Sequence, residues 1–346
     1  MNRFFAAGGE FSLIENLYDA SHFSRDGQGL GDDGYLMRMG GETWAVSTDT
    51  SVEGIHFRLD WASPEKALEK ALLSNLSDIN AMGGRTSLVF FNLGALKSWD
   101  AAQISRLGEV LARMETRFGF RIVGGDTVRK DREAFFTFTV MGRVEGRPLL
   151  RANALPGHRV YVSGNLGRSA AGLSLFAQGY RPDLSGVQQP DAAGLGNVGI
   201  GRAGREKAWE LFFSGHLYPS PPLDLGPALA ACANQSAAID ISDGLSSELG
   251  HLSRQSGCRL TVEWGKLPYD GGLDLLPGGQ EWKNWILNGG EDYQLLFTGD
   301  FSEAELGLLA RHADVREIGM VTAGEGVGMV DGSGGERELV AAGWSH

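Results

Sequence analysis

The sequence predicts two packed units, an α/β unit followed by an α+β unit, and three observations lead there. Predicted strands alternate with predicted helices along the chain, the pattern of sheets covered by helices. The 346 residues are about twice what one domain of roughly 100–200 residues holds. The stretch 146–158, rich in Gly, Pro and Arg, reads as a linker. The division falls near residue 150, giving units of 1–150 and 151–346.

The elements follow in chain order. Tyr35 to Met39, Gly40-Gly41 and Thr43 to Ser47 read as a hairpin. A helix is predicted from Pro64 to Met82, because proline suits a first helical position and Gly83-Gly84 ends the run. Leu68, Leu72, Asn75, Ile79 and Met82 recur at helical spacing, and Asp78, three residues after Asn75, lies near the same buried face. A second helix covers Ala101 to Arg117. Phe120 to Val123 reads as a short strand ending at Gly124-Gly125-Asp126, and Ala134 to Met141 alternates as a strand does. Past the linker, Val160 to Ser163 is a strand and Gly164 to Gly172 a glycine-rich loop opening a helix. Residues 181–204 read as a long loop or insertion. Ala237 to Ile241 is a strand closed by Ser242-Asp243-Gly244, with a helix from about Ser246.

Composition narrows the function. A formal net charge of −12 disfavours nonspecific nucleic-acid binding, which draws on Lys and Arg. If the ligands are anions, Mg²⁺ bridging to carboxylates reconciles the charges. Cys232 and Cys258 form neither a CxxC pair nor a disulfide framework. Met1 to Leu17 carries no long apolar core of a signal peptide, and no stretch reaches the roughly 18 apolar residues of a membrane span. The expectation is a reduced, cytoplasmic setting without membrane or nucleic-acid partners.

One local pattern recurs: a short apolar strand, then an Asp at its carboxyl end. It is found at Ser47-Thr48-Asp49, at Gly124-Gly125-Asp126 and at Asp240-Ile241-Ser242-Asp243. Ligands bind beyond such strand ends in open α/β sheets. With Asp32, Asp33 and Asp78, six or seven carboxylates are expected in one cleft. They cannot all stay ionised without cations, and hard oxygen ligands favour Mg²⁺, which in turn suggests phosphoryl chemistry. Each Asp also has a plainer reading, as a turn former or helix N-cap. The Gly164 loop lacks the Gly-Lys-Ser/Thr ending of a Walker A loop; it either brings amides to a phosphate or forms a tight strand-to-helix turn.

These same residues carry a family resemblance. Gly31-Asp32-Asp33, Ser47-Thr48-Asp49-Thr50 with Glu53-Gly54-Ile55-His56-Phe57, Asn75-Leu76-Ser77-Asp78, Val123-Gly124-Gly125-Asp126-Thr127, Asp240-Ile241-Ser242-Asp243-Gly244-Leu245 and Gly289-Gly290-Glu291-Asp292-Tyr293 resemble thiamine-monophosphate kinases. The resemblance runs from residue 10 to about 344. It implies the two-domain fold of the aminoimidazole ribonucleotide synthetase superfamily. The N-terminal α/β domain then forms the core of a homodimer, and ATP and metals sit between it and the C-terminal α+β domain. The implied activity is phosphorylation of thiamine monophosphate by ATP.

The resemblance also implies roles. Asp33, Ser47, Thr48, Asp49, Asp78, Asp126, Asp240 and Asp243 bind Mg²⁺. Gly125, Asp126, Arg151 and Ser242 contact ATP, and His56, Glu291 and Trp344 hold the thiamine phosphate. Asp49, Asp126 and Arg151 carry the chemistry. An acceptor phosphate is already an oxyanion, so alignment and charge neutralisation suffice. The planar fork of Arg151 suits phosphate oxygens, and an aromatic such as Trp344 suits a cationic ring. Three features depart from the family pattern: Tyr218 stands where an Arg is usual, Arg168 where an acidic residue is usual, and 181–204 is longer. The rival readings are another ATP enzyme of the superfamily, a metal-dependent phosphohydrolase and an inactive binding protein. Dependence of ADP formation on thiamine monophosphate separates them.

Overall fold

The structure is a computed structural model that describes residues 31–181, 202–232, 234–276, 279–340 and 342. Two sheets organise it. The first has the order β1-β2-β5-β3-β4, with β1 Tyr35–Met39, β2 Glu42–Val52, β3 Arg85–Leu96, β4 Arg121–Lys130 and β5 Phe135–Val144. The expected hairpin is there: Met39 pairs with Glu42 across Gly40-Gly41. All neighbours run antiparallel except β3 and β4, which are parallel. The parallel step needs a crossover, and helix α2, Ala101–Phe118, supplies it.

Helix α1, Pro64–Ala81, starts as predicted, with Pro64 in the first turn and Ser63 capping the Lys66 amide. Leu68, Leu72, Leu76 and Ile79 are wholly buried or nearly so, against Val89, Phe136, Phe138 and Val140 of the first sheet. The opposite face of that sheet is not covered by any described helix. Thr48, Thr50, Thr137 and Thr139 hydrogen-bond one another there in exposed pairs, and Phe90 is exposed beside them.

The second sheet has the order β12-β11-β8-β10-β6-β9-β7, with β6 Arg159–Ser163, β7 Ala237–Asp240, β8 Cys258–Glu263, β9 Leu295–Gly299, β10 Val315–Ala323, β11 Val327–Val330 and β12 Glu336–Glu338. One face is covered by helices α3 Arg168–Ala177, α4 Arg202–Leu217, α6 Leu245–Ser256 and α7 Trp282–Asn288, around Val160, Val162, Phe176, Phe212, Leu249 and Leu260. The other is covered by α5 Leu225–Ala230 and α8 Glu303–Leu309, with Tyr161, Phe297, Leu229 and Leu309 in the contact. Helix α1 touches strands of both sheets, which makes it the central element. Among the described residues no helix is long and apolar enough to cross a membrane.

Two expectations about strand ends fail. The strand containing Asp49 continues to Val52, and the strand containing Asp126 continues to Lys130. Both Asp therefore stand within strands. The apolar signal stops early because one face of this sheet is not packed on the core, and the Thr and Val residues that follow are good strand formers there. Asp240, by contrast, is the last residue of β7.

Candidate active site

Helix α1 grips both sheets with different faces. Asn75 and Asp78, three residues apart, reach β2: the Asp49 amide donates to Asn75 Oδ1 at 3.1 Å, and Ser47 Oγ donates to Asp78 Oδ2 at 2.7 Å. Lys70 and Ser77 are two turns apart on another face and reach the second sheet's side. Ser77 Oγ donates to Asp240 Oδ2 at 2.7 Å, and Lys70 Nζ to Glu291 Oε2 at 2.9 Å. These two faces of α1 together, Asn75 and Asp78 toward β2 and Ser77 toward β7, bring both strands to the same cleft.

An acidic cluster results. Asp33, Asp49, Asp78 and Asp240 act on one another electrostatically. Burial, with Asp49, Asp240 and Asp33 adding to it, pushes the Asp78 carboxyl well above its ordinary value. Burial and then Asp33 push Asp240 up to about 8. Asp33 is also raised by burial, although Arg151 lies against it as an ion pair. The Arg151 amide donates to Asp32 Oδ1 at 2.7 Å, so the two consecutive acids hold Arg151 by its backbone and its side chain. Beside the cluster, Glu248 Oε1 accepts from the Asp243 amide at 2.8 Å and the Gly244 amide at 3.2 Å. Burial, then Asp243, pushes Glu248 up to about 8. Glu248 thus shapes the Ser242-Asp243-Gly244 turn. It stands in the first turn of α6, and no sequence motif singles it out.

The donor chemistry fits divalent cations. All the grouped side chains offer hard oxygens, the like charges oppose full ionisation, and Asp33 Oδ2 is buried with no hydrogen-bond partner. Among the described residues, no three acidic, His or Cys side chains already stand close enough to hold an ion by themselves. Further oxygens, from a bound ligand or water, would complete any coordination shell, as is usual for Mg²⁺.

Not every expected residue joins this group. Thr48 turns its hydroxyl to the uncovered sheet face, toward Phe138 O at 3.1 Å and Thr139 Oγ1 at 2.9 Å. Gly125 and Asp126 lie on the outer strand β4. In register, Asp49 faces Phe138, Phe138 faces Phe91 and Phe91 faces Gly125, which puts Gly125 roughly 14 Å from Asp49 at about 4.8 Å per strand. Asp126 is exposed and accepts from the Thr127 amide at 2.8 Å. Gly125 is at φ 154°, and a Cβ there would lie 1.7 Å from Phe91 O, so no other residue fits.

A second pole lies at the other end of α1. Gly289 to Tyr293 forms a tight segment in which the Glu291 amide bonds Ser242 O at 2.7 Å and the Tyr293 amide bonds Ile241 O at 2.9 Å. Glu291 and Tyr293 both adopt positive φ, 64° and 48°, a strained conformation for such residues. Burial alone would raise the Glu291 carboxyl; the charges around it, Lys70 foremost, bring it below its ordinary value. His216 Nδ1 stands 3.4 Å from Glu291 Oε2 and 3.0 Å from Ser169 Oγ. Burial, with Lys70 adding to it, pushes His216 down to about 3, so its ring is neutral. His56 is fixed from the first sheet, its Nδ1 accepting from the Val52 amide at 3.1 Å. Asp292 accepts from the Gly167 amide at 2.6 Å and the Ser169 amide at 3.0 Å. Two amides of the glycine-rich loop are therefore taken by Asp292, which favours the structural-turn reading of that loop. Lys70 carried no motif signal, and His216 served only as the landmark before Tyr218; their contacts with Glu291 exist only once α1 and α4 are packed.

The departures from the family pattern also have local explanations. Arg168 pairs with Asp270, its Nη2 2.9 Å from Oδ1. Tyr218 carries Lys66 Nζ over its ring at 4.9 Å. Trp344 and residues 182–201 lie outside the described residues.

Comparison with known proteins agrees with this architecture. The AIR synthase related protein N-terminal domain matches residues 31–144. The thiamine-monophosphate kinase of Mycobacterium tuberculosis (strain ATCC 25618 / H37Rv) is 35% identical over 346 residues, covering 97% of this chain and 91% of that one. The enzyme of the same name from Escherichia coli (strain K12) is 36% identical over 296 residues, covering 84% and 83%. The solved structure "AaThiL complexed with AMPPCP and TMP" has a TM-score of 0.78 at 28% identity and covers 98% of this chain and 97% of that one. The thiamine-monophosphate kinase from Stenotrophomonas maltophilia K279a has a TM-score of 0.72 at 30% identity, covering 96% and 98%. With its acidic cleft, its two sheets and this identity over nearly its whole length, the chain belongs to the thiamine-monophosphate kinase family.

Proposed function

We propose that this chain transfers the γ-phosphoryl group of ATP to the phosphate of thiamine monophosphate, giving ADP and thiamine diphosphate. The observation that carries the reading is the cleft at α1, with an acidic cluster at one end and the ionised Glu291 at the other. A relative holding an ATP analogue and TMP together supports the pairing of ligands.

The transfer is a direct in-line displacement. An oxygen of the acceptor phosphate forms a bond to the γ-phosphorus while the bond to the β–γ bridging oxygen breaks, and ADP leaves with that electron pair. The acceptor oxygen is already anionic, so no strong base is required. Several Mg²⁺ ions, when bound, neutralise the triphosphate and the charge that builds up on transfer. Asp33, Ser47, Asp49, Asp78 and Asp240 are the residues we assign to them, with Asp243 at the adjoining turn. Thr48 and Asp126 belong to this assignment, and Gly125 and Asp126 to the contacts with ATP, through the family motif alone. Arg151 is held at the edge of the cluster by Asp33 and directs its charge toward the nucleotide phosphates, next to Ser242. Glu291 and His56 receive the acceptor, with Trp344. The two units meet at residue 150, and two copies pair through the uncovered face of the first sheet.

A coupled assay with ATP, Mg²⁺ and thiamine monophosphate, followed by identification of the product, tests the proposal. ADP should form only with the acceptor present. Inorganic phosphate released at the same rate without acceptor would make the protein a phosphohydrolase instead.

A further inference from the structure

We propose that Lys70 is the residue that positions Glu291 for the acceptor, making recognition of the acceptor depend on the contact between the first unit's helix and the second unit's strained loop. The inference deepens the reading above and rests on Glu291 meeting the acceptor.

Lys70 is buried, 7% exposed, an uncommon position for a lysine unless it is paired. Its ammonium lies 2.9 Å from Glu291 Oε2 across 221 residues of sequence. Four connections fix the Glu291 segment. Lys70 holds the Glu291 carboxylate from α1. The Glu291 and Tyr293 amides are tied to Ser242 and Ile241. Asp292 is tied to the amides that open α3. His216, on α4, abuts the same Oε2 atom and contacts Ser169. Three of these come from the second unit; Lys70 is the one from the first.

The chemistry indicates what the arrangement is for. Lys70 and His216 both lie against Oε2, which leaves Oε1 turned away from the ion pair. The Glu291 side chain is 27% exposed while Lys70 is 9%, so the carboxylate is the more accessible member of the pair. Lys70 itself lines a small cavity with His56, Phe57, Trp61, Lys66 and His216. Breaking a buried pair by removing one partner leaves the other charge uncompensated. Without Lys70, Glu291 would lose its fixed direction and the charge that keeps it ionised. A fixed carboxylate with one oxygen left free of the ion pair suits a cationic or amino-substituted heteroaromatic ring. The helix that orients Glu291 also carries Asp78 in the acidic cluster, so one rigid rod sets the spacing of the two ends. Lys70 and Asp78 are eight residues apart, about 12 Å along a helix axis.

Steady-state kinetics with ATP and thiamine monophosphate on Lys70→Met, Lys70→Arg, Glu291→Gln and the double variant Lys70→Met/Glu291→Gln test this. Lys70→Met should raise KM for thiamine monophosphate at least tenfold while KM for ATP stays within twofold, and Lys70→Arg should recover much of the loss. In the double variant no buried charge is left unpaired, so it guards against a folding defect. Its KM for thiamine monophosphate should match that of Glu291→Gln alone, because Lys70 acts through Glu291. Effects that multiply in the double variant, or equal rises in both KM values for Lys70→Met, would overturn the positioning role. If instead Glu291→Gln leaves KM for thiamine monophosphate unchanged, the acceptor assignment of Glu291 fails, and the proposal with it. Thermal melting of each variant without ligand identifies loss of fold separately.

Discussion

At the scale of single residues, the cleft is built against its own stability. Asp240 is 2% exposed and its carboxyl is pushed up to about 8, mainly by burial. The folded chain therefore binds that proton more tightly than the unfolded chain, where the ordinary value is 3.8. The stabilising contribution is complete below 3.8 and is lost as pH rises through about 8. Without metal, the melting temperature should fall between pH 5 and pH 8, and Asp240→Asn should flatten that fall. Scanning calorimetry in a chelating buffer checks this; a steeper fall in the variant would contradict it. Asp126 serves as the contrast. It is exposed and lies apart from the like charges, so Asp126→Asn should leave the metal-free melting temperature within a degree or two of the parent. If Asp126 acts on bound ligands, its activity should still drop by a factor of a hundred or more, about 2.7 kcal/mol.

At the scale of elements, glycines divide into those a strand or contact demands and those a helix merely tolerates. Gly125 in β4 has no space for a Cβ, so Gly125→Ala should detach the strand edge and cost about 3 kcal/mol or more, the range reserved for core disruption. Gly108, in the exposed part of α2, has nothing within 4 Å of a would-be Cβ. Gly108→Ala should stabilise by about 0.5–1 kcal/mol, through better helix propensity and a less flexible unfolded chain. Urea titrations of the two variants should move in opposite directions. Helix α1 is the element on which both poles depend. Its apolar stripe fills the first sheet's core, and its polar faces carry Asn75 and Asp78 in one direction and Lys70 and Ser77 in another.

At the scale of the whole molecule, two faces await partners. The cleft should close its charge imbalance on binding, since a ligand that binds only the native state stabilises it in proportion to that binding. Mg²⁺ with a non-hydrolysable ATP analogue should raise the melting temperature by several degrees, and either alone by less. The first sheet exposes Phe90 and Val128 on its outer side and Val123 at the irregularity of β4, and β4 offers an edge whose residues are almost all exposed. If two copies pair there, light scattering should give about 74 kDa, twice the 37.1 kDa of one chain. Phe90→Asp should then give a monomer with much reduced activity. A wild-type mass of one chain would remove the pairing from the proposal.

The sequence by itself determined the local elements and the chemistry on offer. The hairpin at Gly40-Gly41, the limits of α1 and the identity of the clustered acids follow from turn residues, helix punctuation and charge, each readable within a few positions. Tertiary structure decided which acids meet. Asp33, Asp49, Asp78 and Asp240 come from a loop, two strands and a helix up to 207 positions apart, and only the packing of α1 between the sheets brings them together. The same packing separates Asp126 from the strand of Asp49 by three strand spacings, although its local motif looks like the others. It also creates the Lys70–Glu291 pair, which no spacing announces. Periodicity and turn chemistry act over one or two turns of chain; electrostatic partnership acts through space, and burial sets its strength. That is why the clustered acids were legible in the sequence and their layout, with partners such as Lys70 and Glu248, was not.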